Sequence, residues 1–488
     1  MDVGLITGVG RELKKFLQQF DDCFSRSEPR ENLQVYVQGQ LSDLERKSIE
    51  PIALAAGVPP RTLQYFLSSV SWDHIRLRDR IQWIVATEHA HPNAIGVIDE
   101  TGHPKKGLST CGVQRQWCGN TGKVDNCVVG VHLGYVLGDF QCLLDSDLFL
   151  PQDWANDVAL REKTKVPEDI QFQTKPQIAL EQVRRALKNG IRFWALTFDE
   201  LYGRSGPFLD GLNGLGQNYV GEIPSDFVGW LREPHILQKA TPAETRKKGR
   251  KRHYPRLSQK TLPASEVRNI AVYSPVFRSQ KWQRFRIKNG EKGPVVWEVK
   301  ASKFYRKQGE TGLPCQAHTL IVARNVLDTN EVKYFLANVS LDSPGVTLEW
   351  LLWIAFSRWP IERCFEIGKR ELGMDHFEMR SWQGIYRHFY ISQLSQLFCA
   401  CVHHVLREKK HRKLIPDRGT SSFSRMCLDY GPMAQVFGEE GTIPESNRSD
   451  RVLSMAQSRR PKVSSQEKTS TIEKTGNKSQ SVNILCPT

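Results

Sequence analysis

The chain has 488 residues, 39% hydrophobic and 25% charged, the balance of a folded protein with a sizeable core rather than a disordered one. Lys and Arg number 68 against 53 Asp and Glu, a formal charge of +15, so a polyanion is the first partner class to expect. Eleven cysteines scatter from Cys23 to Cys486 with no CxxC spacing, which argues against a disulfide scaffold or a zinc ribbon and for reduced intracellular thiols.

No run approaches 18 apolar residues, and Asp2 stands where a signal peptide would be positive, so neither a membrane span nor a secretion signal is expected. Residues 1–90 read as a helical domain. Within it, IEPIALAAGVPPRTLQYFL (Ile49 to Leu67) gives a small-residue helix, a Gly57 turn and a second helix opening at Pro59–Pro60. That pattern fits a helix-turn-helix that reads DNA, and equally an αα-hairpin that only packs a core. In the first case Arg61, Thr62 and Gln64 are the early polar side chains that reach base edges.

From Ala94 the period changes. AIGVIDETG predicts a buried strand ending in acids, and CVVGVHLGYVLG and FQCLLDSDLFL predict two more around a Gly138–Asp139 turn. A helix over Gln177 to Lys188, the strand RFWALTFDE and the strand NYVGEIP follow, describing a mixed α/β sheet over residues 91–225. Residues 226–345 then read as an insertion: a basic loop, followed by β-rich segments. In the loop, Lys247, Lys248, Arg250 and Lys251 lie within a block from Arg246 to Arg256. In VVWEVKASKFY, Trp297, Val299 and Ala301 alternate with Glu298, Lys300 and Ser302, which puts the two sets on opposite faces of a strand. Helices return over residues 346–408, one starting near Pro360 and stopping at Gly373, the last running from about Ile385 to Glu408. Residues 409–488 form a basic tail, rich in Ser, Thr, Lys and Gln from Glu440, that is expected to be disordered.

Three acids stand out by position. Asp99 and Asp199 each follow an apolar strand, and Glu362 lies on the helix after Pro360. Carboxylates at the tips of neighbouring strands point into one crevice and can hold a pair of divalent ions, although a single acid after a strand is usually only a cap. On the helix, Arg358, Glu362 and Lys369 read R-x3-E-x6-K, which places acid and lysine on one face. Metal-holding carboxylate beside phosphate-holding cations is what phosphoryl transfer on DNA requires; an ordinary salt-bridged helix face is the plain alternative.

On these residues the chain resembles a bacterial insertion-sequence transposase of the DDE class, in the branch with the signature Y-x2-R-x3-E-x6-K. The resemblance covers about residues 30–405. It implies an RNase H-like α/β fold with a β-rich insertion behind a helical N-terminal domain. It implies that Asp99, Asp199 and Glu362 bind two Mg²⁺, with Mn²⁺ able to substitute, and that Arg358 and Lys369 contact the DNA end. The implied partners are double-stranded DNA, both terminal inverted repeats and target, with a dimer formed on DNA. The implied location is the bacterial cytoplasm, at the nucleoid. One position departs: the signature tyrosine falls on Ala355, beside Phe356. Relatives of this kind can excise through a DNA hairpin with an aromatic holding a flipped base, which makes Trp359, Trp297 and Trp282 candidates for stacking.

Neighbouring features fit less well. Glu366, one turn beyond Glu362, replaces it if the register is shifted, and Glu371 lies further on. Asp145 and Asp147 follow another strand but not the family position. Cys399, Cys401, His403 and His404 do not face one side of a helix, and GLNGLG lacks a phosphate-loop lysine. Three readings stand: a metal-dependent transposase that cuts element ends and joins the 3′-ends to target DNA, an RNase H-like nuclease or resolvase without strand transfer, and a catalytically silent DNA-binding derivative.

Overall fold

The computed structural model describes residues 3–239, 253–290 and 293–414. Its N-terminal part is helical: α1 (Val3–Gln18), α2 (Ser27–Leu41), α3 (Ile49–Ala55), α4 (Pro60–Ser68) and α5 (His74–Glu88). α4 opens with Pro60 in its first turn, where the missing N–H costs nothing, and buries Leu63, Phe66 and Leu67. Between α3 and α4, Gly57 has φ +68°, the left-handed conformation that glycine adopts without strain. Gly39 of α2 lets α3 come close, since a Cβ there would lie 2.4 Å from Ile52 Cγ2.

The first sheet contains β1 (Ile95–Pro104), β2 (Gln114–Cys118), β3 (Lys123–Leu137) and β4 (Phe140–Leu148). Helices α6 (Gln152–Asn156), α7 (Val158–Thr164) and α8 (Lys175–Lys188) follow. Then come β5 (Ala195–Thr197), α9 (Glu200–Gly203), α10 (Gly206–Gly214) and β6 (Val220–Ile223). β3 runs antiparallel to both β1 and β4, and β5 lies parallel to β1. A parallel bridge, Leu196 to Tyr219, carries the sheet on toward β6. The order β4–β3–β1–β5–β6, with helices α8, α14 and α15 packed against it, is an RNase H-like mixed sheet.

Beyond β6 lie β7 (Val228–Trp230), β8 (Ile236–Leu237), β9 (Arg256–Leu257), β10 (Ser265–Glu266), α11 (Val267–Tyr273) and α12 (Pro275–Ser279). The long strands follow: β11 (Gln283–Gly290), β12 (Gly293–Lys307), β13 (Pro314–Asn325) and β14 (Val332–Ala337). β12, β13 and β14 form a meander, and β14 pairs antiparallel with β6, Tyr334 opposite Ile223. The β-rich segment is thus an extension of the core sheet. The chain closes with α13 (Leu348–Phe356), α14 (Trp359–Arg370) and α15 (Trp382–Leu414). Gly373, with φ +68°, stands just past α14, as its spacing predicts.

Several expectations need correction. β1 does not end at its acids; it continues five residues past Asp99, because Thr101, Gly102 and His103 are buried and pair with β3. β2 had no expectation at all. It pairs with the first residues of β3 in a hairpin whose polar and glycine content hides its period. The two faces of β12 do place Trp297 and Val299 opposite Glu298 and Lys300, and the polar face is largely covered as well: Glu298 is held by Arg284 and Arg324, while Lys300 donates to the Phe277 carbonyl at 2.6 Å. α15 runs six residues past Glu408, and the rest of the expected tail lies outside the described residues. Among the described residues no helix is long and apolar enough to cross a membrane.

Candidate active site

Three segments far apart in sequence line one open crevice of about 820 Å³: β1 with Asp99, the N-cap of α9 with Asp199, and α14 with Arg358, Glu362 and Lys369. Each is placed by ordinary local physics. Asp99 sits mid-strand opposite His132, and its Oδ1 accepts from the Glu100 N–H at 2.9 Å. Asp199 ends a buried run and caps a helix, its Oδ1 accepting from the Leu201 N–H at 3.0 Å. α14 buries Ile361, Cys364, Phe365 and Gly368 at helical spacing, which leaves Glu362 on the open side, 56% exposed.

Arg358 ties the crevice together. Its Nη1 lies 2.6 Å from Asp99 Oδ2 and its Nη2 3.0 Å from Glu362 Oε1. Lys369 faces the same crevice but turns inward, donating to Thr101 Oγ1 at 2.7 Å and to the Gly102 carbonyl at 3.0 Å. It is therefore buried, and it pins α14 onto β1. Burial pushes Asp99 up to about 7; Arg358 opposes the shift, while Glu100 and Asp199 reinforce it. Asp199 is raised for the same leading reason, with Glu100 adding to it. Burial, rather than any lack of a cation, is what holds these carboxyls high, and an all-oxygen donor set suits a hard dication. The residues fit a metal chemically. Among the described residues, though, no three acidic, His or Cys side chains are gathered closely enough to enclose an ion, and Glu362 is paired with Arg358.

Two lining groups went unread in the sequence. Glu100 points beside the expected acids but is already bound, to Lys175 at 2.9 Å and to the Tyr202 hydroxyl at 2.7 Å. Trp117, with Gly119 and Asn120, forms a lip of the crevice from the β2–β3 hairpin and is 62% exposed. The glycine turn after WC was a legible hairpin signal, but nothing in the sequence says which way an isolated tryptophan points.

The expected stacking residues separate clearly. Trp359, at the start of α14, is 42% exposed. Trp297 is 4% exposed and packs on Phe356 with centroids 5.0 Å apart, so the expectation that it meets DNA is corrected: the sheet and α13 cover it. Trp282 lies under Lys300 and Arg324, 4.5 and 4.1 Å from its centroid. Ala355 is buried, and the adjacent Phe356 is packed against Trp297 and Phe335. Nothing reaches from the signature tyrosine position into the crevice. Glu366 lines the crevice too, but is engaged by Arg370 at 2.6 Å.

Arg61 and Gln64 lie elsewhere, on the exposed side of α4, with Arg61 stacked 5.0 Å from the Tyr65 centroid. Lys247, Lys248, Arg250 and Lys251 lie outside the described residues.

Residues 19–294 match the family model described as DDE superfamily endonuclease, more than half of the chain. The match includes Asp99 and Asp199 and stops before Glu362. A probable transposase for insertion sequence element IS701 from Microchaete diplosiphon is 34% identical over 202 residues, 41% of this chain and 50% of that protein. The chain thus matches about half the length of that curated relative.

Proposed function

The chain belongs to the DDE superfamily of endonucleases, and from that premise we propose that it is an insertion-sequence transposase, cutting element ends and joining the 3′-ends to target DNA. The observation that carries the proposal is the convergence of Asp99, Asp199, Glu362 and Arg358 on one open crevice from segments up to 263 residues apart in number. Endonucleases of this family generally use divalent metals. In this chain Asp99, Asp199 and Glu362 are the proposed holders of two Mg²⁺, with Mn²⁺ as substitute. Bound there, the ions would activate the attacking oxygen and stabilise the leaving one.

The protein's own groups do the rest. Arg358, released from its two carboxylates, is the cation at hand for a scissile phosphate. Lys369 keeps α14 seated on β1 and adds positive potential from below. Trp117 and Trp359, both partly open to solvent, are the side chains proposed to stack an unpaired base. Arg61 and Gln64 on α4 read the element end, since a crevice that accepts any target cannot itself be selective. The basic block from Arg246 to Arg256 contributes phosphate contacts, and binding weakens with salt by about one log–log unit per phosphate neutralised. Two copies on DNA would hold two ends together.

The test uses pre-cut duplexes of the terminal repeats flanking the gene, a supercoiled target plasmid and Mg²⁺. Joined products support the transposase reading. Cleavage that never yields joined products favours a plain nuclease, and absence of both under Mg²⁺ and Mn²⁺ refutes the proposal.

A further inference from the structure

The helix that carries Arg358 and Glu362 is fastened at its far end by a lysine from the N-terminal domain. Lys47 directly precedes the Ser48 N-cap of α3, and its side chain reaches between the ends of α2 and α14. Its ammonium donates to the Gln40 carbonyl at 2.9 Å, to the Ser42 carbonyl at 2.6 Å and to the Glu371 carbonyl. An ammonium has three hydrogens, so these acceptors use them all. Glu371 is the C-cap of α14, and a cation there meets the negative end of the helix dipole.

The backbone is joined at the same place. The Lys47 N–H donates to His376 Nδ1 at 3.0 Å. A Cβ on Gly373 would lie 2.6 Å from Lys47 Cβ, so only glycine permits this approach. Arg46 pairs with Glu378, while Lys105, just beyond β1, donates to the Phe377 carbonyl at 2.8 Å. The segment from Glu371 to Glu378 is therefore held on one side by Arg46 and Lys47, in the loop between α2 and α3, and on the other by Lys105, just past the strand bearing Asp99. A lysine that is 6% exposed, with no carboxylate on its ammonium, is a costly way to fill space that an apolar side chain would fill cheaply. What it provides instead is a directional, three-way joint.

We propose that Lys47 is a positioning residue that couples DNA-end reading on α3 and α4 to the placement of Glu362 and Arg358 on α14. This inference rests on the transposase reading given above. Displacing α3 moves Lys47 and with it the C-terminal turn of α14, seven to nine residues from the acid. Misplacement of a reacting group by about 1 Å costs on the order of a hundredfold in rate, so a small shift at this joint matters.

The experiment compares the full-length parent with Lys47→Met, which keeps the length and removes the donors, and Lys47→Arg, which keeps the cation. Backbone hydrogen exchange of residues 366–376 is followed with and without a terminal-repeat duplex, beside end-binding affinity and single-turnover cleavage at saturating DNA. In the parent, the duplex is expected to change exchange across 366–376. Lys47→Met should bind the end with unchanged affinity, lose that exchange response and cleave about 5- to 150-fold more slowly, with Lys47→Arg recovering part of the rate. A variant that keeps both the response and the rate overturns the inference, as does one that loses affinity and rate in proportion, which is a merely structural role. If Lys47→Met does not fold, the parent decides: end binding that leaves exchange at 366–376 untouched overturns the coupling. A parent that does not prefer the terminal repeat over a scrambled duplex overturns the end-reading premise and the inference together.

Discussion

Two groups of acids lie on or beside the same sheet and meet opposite fates. On β4, Asp145 is fully buried, yet accepts from Arg185 Nε at 2.9 Å, from Gln82 Nε2 at 3.3 Å and from the Ser146 N–H at 2.9 Å. Asp147 beside it takes the other arm of Arg185, Gln182 at 3.0 Å and the Tyr386 hydroxyl at 3.3 Å. In the crevice, Asp99 and Glu362 share the single guanidinium of Arg358, and Asp199 accepts from the Leu201 N–H. The four aspartates each follow an apolar run in the sequence, and burial raises Asp145 as it raises Asp99. The difference is in fixed partners: the acids that brace the fold are saturated by amides and arginine, whereas the crevice acids have few fixed donors on an open face and keep capacity for an ion.

The largest effect sharpens this contrast. Asp99→Asn, Asp199→Asn and Glu362→Gln should each abolish cleavage while leaving end binding and folding nearly intact, measured by strand-cleavage assay beside a binding titration. Normal cutting by Glu362→Gln together with a dead Glu366→Gln would move the acid by one helical turn. Asp145→Ala should do the reverse. It removes one of the two carboxylates on Arg185 and the buried acceptor of Gln82, and should cost about 1–3 kcal/mol in urea unfolding, with activity falling only as the folded fraction falls. An Asp145→Ala protein of parental stability that fails to cut would break the comparison.

A smaller effect separates the two regions by pH. His388 lies in the braced interior, its ring between Tyr36 and the Met374 carbonyl, and burial lowers it to about 4 from 6.5. It is neutral when folded and charges more readily once unfolded. Its contribution is therefore complete above about pH 6.5 and is lost as pH falls toward 4, up to about 3 kcal/mol. His132, lowered to about 3 by burial and then by Lys369, acts in the same direction. Unfolding free energy that stays level from pH 7 to 4.5 would show that these imidazoles find partners when charged. Smallest is the rim: Trp117→Ala should weaken binding of an end with unpaired terminal bases by about 1–3 kcal/mol, and Trp117→Phe should recover most of it. Equal losses on fully paired duplex would mean that the ring packs rather than stacks.

The sequence by itself was enough for the alternation of helix and strand, the Gly57 and Gly373 turns, the mixed sheet and the acid at each apolar run, because periodicity and turn chemistry are local. It also placed Arg358 and Glu362 four residues apart on one helix, where their ion pair is nearly forced. Only the tertiary structure decided the rest. It turned Lys369 inward onto β1, buried Trp297 behind Phe356, exposed Trp117 at the crevice and made Arg185 the partner of Asp145 and Asp147. Each of those outcomes depends on which distant segment arrives opposite a side chain. Burial and charge compensation are properties of that meeting, and no spacing along the chain encodes them.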